Sequence, residues 1–232
     1  MGYLEETMKK IILSVLLLTI FSSFHSEQSV KQLKQSVCTA LPQIEGWCSR
    51  EKALNFIDLV LEVEPDVCVD IGAFGGSSVF PVASTLKFLN HGIIYTIDPW
   101  NVVESIRHFD PIVNIVDFAW WSKLNYDAIY NSYQKMLKRY DLQAYCITLK
   151  MTSEVAVDKI ENIDILYIDG GHSETAFLTD VVLYLPKVRS GGYIWMNDSL
   201  WEQAQPAVDF LLEHCEVIKL IDNGNCILFK KL

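Results

Sequence analysis

A glycine-rich turn between an apolar run and a helical segment constrains the fold more than any other feature of this sequence. The run Val67–Ile71 includes Asp70 and is followed by Gly72, Gly75 and Gly76. A short apolar run bounded by glycines predicts a buried strand that turns tightly into a helix. Such a turn exposes bare backbone and unpaired N–H groups at the helix N-terminus. Because a carboxylate repels phosphate and attracts ammonium, the turn favours a ligand with both charges, such as an amino-acid group.

A second acidic residue, Asp98, ends the next apolar run, Ile93–Ile97. Asp98 comes 22 residues after Gly76, a spacing at which an acid at the end of the second strand reaches a ribose hydroxyl. The glycine pattern is Asp-x-Gly-x-x-Gly-Gly, which differs from the dinucleotide fingerprint Gly-x-Gly-x-x-Gly. A ribose together with an amino-acid group predicts S-adenosylmethionine as the ligand. The alternative is a strand–turn–helix unit that binds no ligand.

The composition favours a single domain. The chain has 232 residues, of which 50% are hydrophobic, and this is enough for one sizeable core. The net charge of -10 argues against a nucleic acid as the principal partner. No two of the six cysteines form a C-x-x-C pair, so neither a zinc site nor a dithiol redox motif is expected. Cys38 and Cys48 are a candidate disulfide if the chain is exported.

Strands and helices alternate along the chain. The predicted strands are Val67–Ile71, Ile93–Ile97, Ala144–Leu149, Ile163–Asp169, Gly191–Asp198, Val217–Ile221 and Cys226–Lys230. The predicted helices are Ser49–Val63, Ser77–Asn90, Tyr126–Tyr140, Ser153–Ile160, Thr175–Leu185 and Trp201–His214, whereas the aromatic segment 99–125 is predicted to be irregular. This order predicts an α/β fold, Rossmann-like and doubly wound, with a mostly parallel seven-stranded sheet. The Asn-Gly turn at 223–224 predicts an antiparallel C-terminal hairpin.

Acidic residues are expected to gather at one edge of this sheet. Asp70, Asp98, Asp169 and Asp198 each stand at the end of a predicted strand. Ligands of open α/β sheets bind at the carboxyl ends of the strands. The ligand site is therefore predicted at this edge.

The motif Asp169-Gly-Gly-His172 contains the candidate catalytic residues, His172 and Asp169. A histidine titrates near neutral pH and can take a proton from a hydroxyl. The alternative is a structural histidine that caps the next helix or binds a loop carbonyl. Asp169, Asn197 and Asp198 together offer three oxygen ligands suited to Mg²⁺. Asp198 is alternatively a substrate contact or a helix cap.

The N-terminal sequence pattern indicates a leader segment. Two lysines after Met8 precede the apolar run Ile11–Phe21, which is short for a membrane span but typical of a secretory signal peptide. The alternative is an uncleaved anchor or an amphipathic leader. We therefore expect residues 1–26 to be a leader or anchor that exports the protein or associates it with a membrane, and residues 27–232 to be one domain. Without export the chain would be cytoplasmic, which is where S-adenosylmethionine is made.

Three motifs together carry a family resemblance. Asp70-Ile-Gly-Ala-Phe-Gly-Gly-Ser-Ser78, Thr96-Ile-Asp98 and Tyr167-Ile-Asp-Gly-Gly-His-Ser173 occur in this order. The set resembles class I S-adenosylmethionine-dependent methyltransferases, and within them the small enzymes similar to catechol O-methyltransferase and the cephalosporin-hydroxylase-like proteins. The segment Leu185–Asp198 is similar to a later part of that family. The resemblance runs from about residue 44 to the C-terminus.

The resemblance implies methyl transfer from S-adenosylmethionine to a hydroxyl of a small-molecule acceptor. It assigns the methionine part of the cofactor to Asp70, Gly72, Phe74, Gly76 and Ser78, the ribose to Asp98, and the neighbourhood of the adenine to Ser153. It also implies Mg²⁺ at Asp169 and at Asn197-Asp198, where the family order of an Asp-Asn pair is reversed. His172 stands where catechol-type enzymes have a lysine base. A homodimer is a further expectation.

Two other functions remain open from the sequence. One is an oxidative tailoring enzyme of the cephalosporin-hydroxylase-like kind, which has the same fold and different chemistry. The other is an exported protein that uses the methyltransferase fold for binding without catalysis.

Overall fold

Seven strands form one central sheet, and the structure, a computed structural model, describes residues 27–108, 112 and 115–232. The strands are β1 (Val67–Ile71), β2 (Ile93–Ile97), β3 (Cys146–Leu149), β4 (Ile163–Ile168), β5 (Val188–Met196), β6 (Cys215–Ile221) and β7 (Cys226–Lys231). Their order in the sheet is β3-β2-β1-β4-β5-β7-β6. The first five strands pair in parallel, whereas β7 runs antiparallel to both β5 and β6. The predicted Rossmann-like α/β sheet is confirmed.

Helices cover both faces of the sheet. They are α1 (helical through 27–40), α2 (Arg50–Val63), α3 (Val79–Leu89), α4 (Val102–Ile106), α5 (Ile115–Trp121), α6 (Tyr126–Arg139), α7 (Ser153–Ala156), α8 (Glu174–Tyr184) and α9 (Gln205–His214). Among the described residues, none of these helices has the length and apolar character needed to cross a membrane. The predicted leader at residues 1–26 lies outside the described residues.

Alternate residues of β1 enter two separate hydrophobic cores. Cys68 packs in a core with residues of α2, α3 and α6, such as Phe56, whereas Val69 packs in a core with residues of α8 and α9, such as Phe177. Successive side chains of a strand point to opposite faces of the sheet, so each face needs its own layer of helices. Burial of apolar surface on both faces fixes the strand register, and with it the positions of the strand ends that form the site.

The first turn of α2 brings a lysine to the sheet. The Ser49 hydroxyl accepts a hydrogen bond from the Lys52 backbone N–H at 3.1 Å and so caps the helix, as predicted. Ala53, Phe56 and Val60 form the buried stripe of this helix. Lys52 precedes Phe56 by one helical turn, so its side chain lies on the same buried face.

The prediction that residues 99–125 are irregular is wrong, because they contain α4 and α5. The Asn101 side chain accepts hydrogen bonds from the backbone N–H groups of Val103 and Glu104. This cap starts α4 inside a segment whose aromatic content hides the helical periodicity. The predicted strand at Gly191–Asp198 begins earlier, at Val188, and ends at Met196, so Asp198 lies just beyond it.

The C-terminal hairpin is confirmed, with a longer turn than the Asn-Gly signal alone predicts. Ile221 pairs with Cys226, so residues 222–225 form the connection. Asp222 and Asn223 both have positive φ. Cys38 and Cys48 are free thiols, so the candidate disulfide between them is wrong. Cys38 belongs to α1, whereas the Cys48 thiol contacts the backbone carbonyl of Ser49.

Candidate active site

A cavity of about 650 Å³ opens at the carboxyl ends of β1, β2, β4 and β5. This is the edge at which ligands of open α/β sheets bind, and the volume suits a cofactor. Of the predicted site residues, the cavity is lined by Gly72, Phe74, Ser78, Asp98, Ser153, Asp169, His172, Asn197 and Asp198. Asp70 and Gly76 do not line it. The predicted gathering of strand-end acids is confirmed, with Asp70 beneath the cavity surface.

Gly72 permits the close approach of two strand ends. Its φ is +91°, and a Cβ atom there would lie 1.9 Å from the Asp169 carbonyl oxygen. Only glycine fits such a position, because other residues meet both backbone strain and a backbone clash. Gly76 also has positive φ, and a Cβ there would lie 2.4 Å from Met136 Cε. Gly76 therefore packs against α6 and shapes the turn without lining the cavity.

Asp70 is a buried acid with unused hydrogen-bonding capacity. Its residue is 1% exposed, and Oδ1 has no hydrogen-bond partner among the described residues. Burial raises the pKa of Asp70 to about 8; the hydrogen bond with Ser78 lowers it in part, and Asp169 and Asp98 raise it further. A positive group placed above the glycine loop would therefore be attracted to Asp70 and would favour its ionised form.

Asp98 holds two residues with left-handed backbone conformation. Its Oδ2 accepts from the Phe74 N–H at 2.9 Å, and its Oδ1 accepts from the Trp100 N–H at 2.7 Å. Phe74 and Trp100 have φ values of +44° and +42°, so their conformations are costly and need such support. Burial raises the pKa of Asp98 to about 6, while these two N–H groups and Lys150 lower it in part. Each carboxylate oxygen retains a lone pair for a ligand hydroxyl.

Ser153 begins α7 and lines the cavity, and its hydroxyl donates to Asp180 Oδ1. Asp180 also lines the cavity and is buried. Burial raises the pKa of Asp180 to about 7, with the Ser153 hydrogen bond lowering it in part. Ser153 therefore lines the cavity with its hydroxyl proton held by Asp180, so a ligand would meet the oxygen acceptors of this pair.

His172 is paired with Asp198. Its Nε2 lies 3.2 Å from Asp198 Oδ2, and the Asn225 amide donates to Asp198 Oδ1 at 3.1 Å. Burial lowers the pKa of His172, but the Asp198 hydrogen bond and the carboxylates of Asp169, Asp198 and Asp117 outweigh it and raise the pKa overall. Ser173, and not His172, caps α8, since its hydroxyl accepts from the Ala176 N–H. The helix-cap alternative for His172 is therefore wrong.

Aromatic rings surround the His172 imidazole. The Trp121 ring stacks on it at 5.4 Å between centroids, and the Trp201 ring lies 5.3 Å from it. Trp47 extends this wall, because its ring lies 4.9 Å from that of Phe74 and 6.4 Å from that of Trp121. The segment 100–121 thus contributes part of the cavity wall. Trp100 is different, since it is 3% exposed and belongs to the core.

The predicted metal ligands are already joined to other protein groups. Asn197 Oδ1 accepts from Lys52 Nζ at 2.8 Å, and Asn197 Nδ2 donates to Asp169 Oδ1 at 2.8 Å. The Tyr167 hydroxyl donates to Asp169 Oδ2 at 2.8 Å. Ligand atoms of Asp169, His172 and Asp198 lie within 4.8 Å of one another. This group of candidate ligands contains an imidazole, whereas Mg²⁺ prefers oxygen ligands.

Sequence reasoning missed several residues of the cavity: Trp47, Lys52, Asp180, Trp201, Asp222 and Asn225. Lys52 is the most informative of these. Burial lowers its pKa, but nearby Cys226, Asp169, Asp222 and Asp198 raise it overall, so the amine stays protonated. The sequence does carry an indication of this role, because Lys52 is spaced one helical turn before Phe56 in the apolar stripe of α2. The other residues have no comparable signal, because their roles depend on contacts far along the chain.

Comparison with known proteins assigns the family. Residues 69–199, more than half of the chain, match the family model described as a methyltransferase domain. No curated protein matches the chain in sequence.

Solved structures share the fold at low sequence identity. The O-methyltransferase NovP has a TM-score of 0.65 and 17% identity, with 80% of this chain and 83% of NovP covered. The Podospora anserina methyltransferase PaMTH1, bound to S-adenosylhomocysteine (SAH), has a TM-score of 0.60 and 12% identity, with 88% of each chain covered. An O-methyltransferase from Bacillus cereus in complex with SAH has a TM-score of 0.57 and 12% identity, with 88% of this chain and 91% of that chain covered. The chain belongs to the methyltransferase-domain family and has its class I fold.

Proposed function

We propose that this protein transfers a methyl group from S-adenosylmethionine to a hydroxyl of a small-molecule acceptor. The observation that carries the proposal is the pairing of His172 with Asp198 inside the cavity that the glycine loop borders. A histidine oriented by a carboxylate is suited to remove a hydroxyl proton. The names of NovP and of the Bacillus cereus protein, both O-methyltransferases, support oxygen as the acceptor atom.

The glycine-loop end of the cavity fits S-adenosylmethionine. Asp70 has a buried oxygen that no described residue hydrogen-bonds, which suits the ammonium of the methionine part. Gly72 and Phe74 supply close backbone, and Asp98 supplies acceptor oxygens for the ribose hydroxyls. Ser153 and Asp180 would border the adenine. When bound, S-adenosylmethionine supplies an electrophilic methyl on its sulfonium sulfur, which passes to the acceptor oxygen and leaves SAH.

The protein groups at the acceptor end would align the hydroxyl and take its proton. If Nε2 of His172 carries its hydrogen toward Asp198, the lone pair is on Nδ1, and Nδ1 receives the proton of the acceptor hydroxyl. Asp198 then faces the resulting imidazolium and stabilises it. Trp121 and Trp201 exclude water from the imidazole, and alignment of the reactants in a dry site is the main source of rate in such a displacement.

The walls of the cavity favour an aromatic acceptor without negative charge. The rings of Trp47, Trp121 and Trp201 offer faces against which a planar acceptor can stack. Carboxylates of Asp169, Asp198 and other acids line the same space and would repel an anionic acceptor. We therefore propose phenols and related neutral or cationic aromatic alcohols as the acceptor class.

The test is a screen of acceptors with S-adenosylmethionine that carries a radiolabelled methyl group. The full chain is incubated with matched panels of phenols, aliphatic alcohols, amines and phenolic acids, and SAH formation is followed in parallel. Label transferred to phenols, with stoichiometric SAH, supports the proposal. Transfer to amines alone, or S-adenosylmethionine binding without transfer to any panel, contradicts it.

We also propose that residues 1–26 direct the protein to export or to a membrane. The support is the sequence pattern of two lysines followed by the apolar run Ile11–Phe21. Fractionation of cells that express the full chain tests this, with replacement of two leucines of that run by arginine as the control. Accumulation of the unaltered chain in the cytosol contradicts the proposal.

A further inference from the structure

Lys52 is the part of the site that the glycine loop and the His172–Asp198 pair leave unexplained. Its side chain is 6% exposed at the floor of the cavity. A lysine is almost never buried to this extent unless its charge is paired. Here Nζ donates to Asn197 Oδ1 at 2.8 Å and lies 3.7 Å from Asp222 Oδ2. The ammonium is thus the buried cation of a site built mostly from acids.

A hydrogen-bonded chain connects this ammonium to the acceptor end. Lys52 donates to Asn197, and Asn197 donates to Asp169. The other oxygen of Asp169 accepts from Tyr167. Because a lysine ammonium can only donate, its contact with Asn197 fixes which end of the amide faces Asp169. Lys52, together with the Cys226 thiol that lies 2.9 Å from the same oxygen, therefore sets the orientation of Asn197, and through it the orientation of the Asp169 carboxylate.

The same contacts work against a divalent cation. Asn197 Oδ1 accepts hydrogen bonds from both the Lys52 ammonium and the Cys226 thiol, so Asn197 could bind a cation only by giving up one of these donors. The Asp169 oxygens each accept one hydrogen bond and keep a second lone pair. A metal at Asp169 and Asp198 would also lie close to the charge of Lys52. Displacing the buried ammonium from its partners would leave it unpaired, which is strongly destabilising.

Given the methyl-transfer function proposed above, we infer that Lys52 takes the place of the metal ion at the acceptor site. Its ammonium offsets the charge of Asp169, Asp198 and Asp222, and it positions Asn197 and Asp169 for the acceptor. Methyl transfer by this protein then requires no divalent cation. Lys52 is a positioning residue in this account, because it acts through Asn197 and Asp169.

The first experiment measures metal binding directly. Mn²⁺, which is visible by electron paramagnetic resonance, is titrated into the full chain in the presence of SAH. We expect no Mn²⁺ binding by the wild-type protein and none by the control Lys87→Met, which removes a lysine from a surface pair with Asp141. We expect Lys52→Met to bind Mn²⁺, since its acids have lost their internal cation. Binding by the wild type that is lost in Asp198→Asn overturns the inference.

The second experiment measures turnover and cofactor affinity separately. Chelators should leave wild-type turnover unchanged, and Lys52→Met should lower kcat by about 100-fold, the loss that misplacement of the reacting groups can cause. Its affinity for SAH should stay unchanged, because Lys52 is placed at the acceptor end. Chelator-sensitive wild-type turnover, or full turnover by Lys52→Met, overturns the inference. If Lys52→Met fails to fold, the wild-type Mn²⁺ and chelator measurements still decide.

These outcomes separate the inference from the function on which it rests. A chain that binds no SAH removes the proposed methyl transfer. A chain that binds SAH and transfers methyl groups only with a divalent cation leaves the function in place and removes the role of Lys52.

Discussion

Nε2 of His172 lies 3.2 Å from Oδ2 of Asp198, and this contact joins the loop after β4 to the loop after β5. The two residues are 26 positions apart and meet because their strands are neighbours in the sheet. Asn225, from the turn of the C-terminal hairpin, holds the other oxygen of Asp198. The candidate base is thus oriented by three separate parts of the chain.

Replacement of His172 should separate catalysis from cofactor binding. We expect His172→Ala to lower kcat by about 100-fold or more, as for loss of a general base, while the affinity for SAH stays unchanged. Single-turnover assays and calorimetric titration measure the two quantities. His91→Ala, which alters an exposed histidine paired with Asp66, is the control. Equal turnover of His172→Ala and the wild type would show that His172 has only a structural role.

Replacement of Asp98 should weaken cofactor binding. Asp98→Asn removes the charge and turns one oxygen into a donor that faces a backbone N–H of Phe74 or Trp100. Hydrogen bonds to charged groups are worth about 1.5–3 kcal/mol, so we expect SAH affinity to fall by at least about 10-fold. The control is Asp66→Asn, at an exposed side chain. Calorimetric affinity equal to that of the wild type would remove Asp98 from the ribose site.

The ligand-free protein should lose stability as the pH rises from about 5 to about 8. Asp70, Asp98 and Asp169 have pKa values raised to about 8, about 6 and about 6, chiefly by burial, and the pKa of His172 is also raised. In this window the folded state therefore binds more protons than the unfolded state, which makes the slope of the unfolding free energy against pH negative.

Denaturant unfolding at several pH values measures this slope. Asp70→Asn should flatten it near pH 8 and stabilise the ligand-free chain there, while weakening the binding of SAH, because the asparagine carries no charge to attract the ammonium. An unfolding free energy that is constant or rises with pH over this window would show that the buried acids are ionised at little cost.

Gly72→Ala should destabilise the fold severely. The added Cβ would lie 1.9 Å from the Asp169 carbonyl oxygen at a φ of +91°, so we expect a loss of at least about 3 kcal/mol in unfolding free energy. Gly191→Ala is the matched control: its φ is +73°, but its nearest neighbour, Lys230 Cε, is 3.8 Å away. Backbone strain alone should lower the unfolding free energy of Gly191→Ala by about 1–2 kcal/mol. Equal losses in the two variants would exclude the clash as the cause.

The sheet and its acidic edge follow from local patterns. Short apolar runs such as Val67–Ile71 predict strands, and those that form β1, β2, β4 and β5 end near an acid. Placing Asp98 and Asp169 at one edge then needs only the rule that parallel strands end together. Helix α4 is not predicted by the sequence pattern, because the side-chain cap at Asn101 starts it inside an aromatic segment that carries no clear helical period.

The contacts that complete the site depend on tertiary structure. Lys52 and Asn197 are 145 residues apart, and nothing local to either residue predicts that they meet. Asn225 reaches Asp198 only because β7 lies beside β5. The identity of a pair of long-range partners depends on strand order and helix docking together, and periodicity specifies neither.

The most direct test of the central claim is calorimetric titration of the full chain with SAH. Gly72 and Asp98 line the cavity and Asp70 is buried next to the glycine loop, an arrangement that predicts SAH binding at one site per chain with micromolar affinity and a marked loss of affinity in Asp98→Asn. The absence of binding at millimolar SAH would contradict the assignment of this cavity to the cofactor, and with it the proposed methyl transfer.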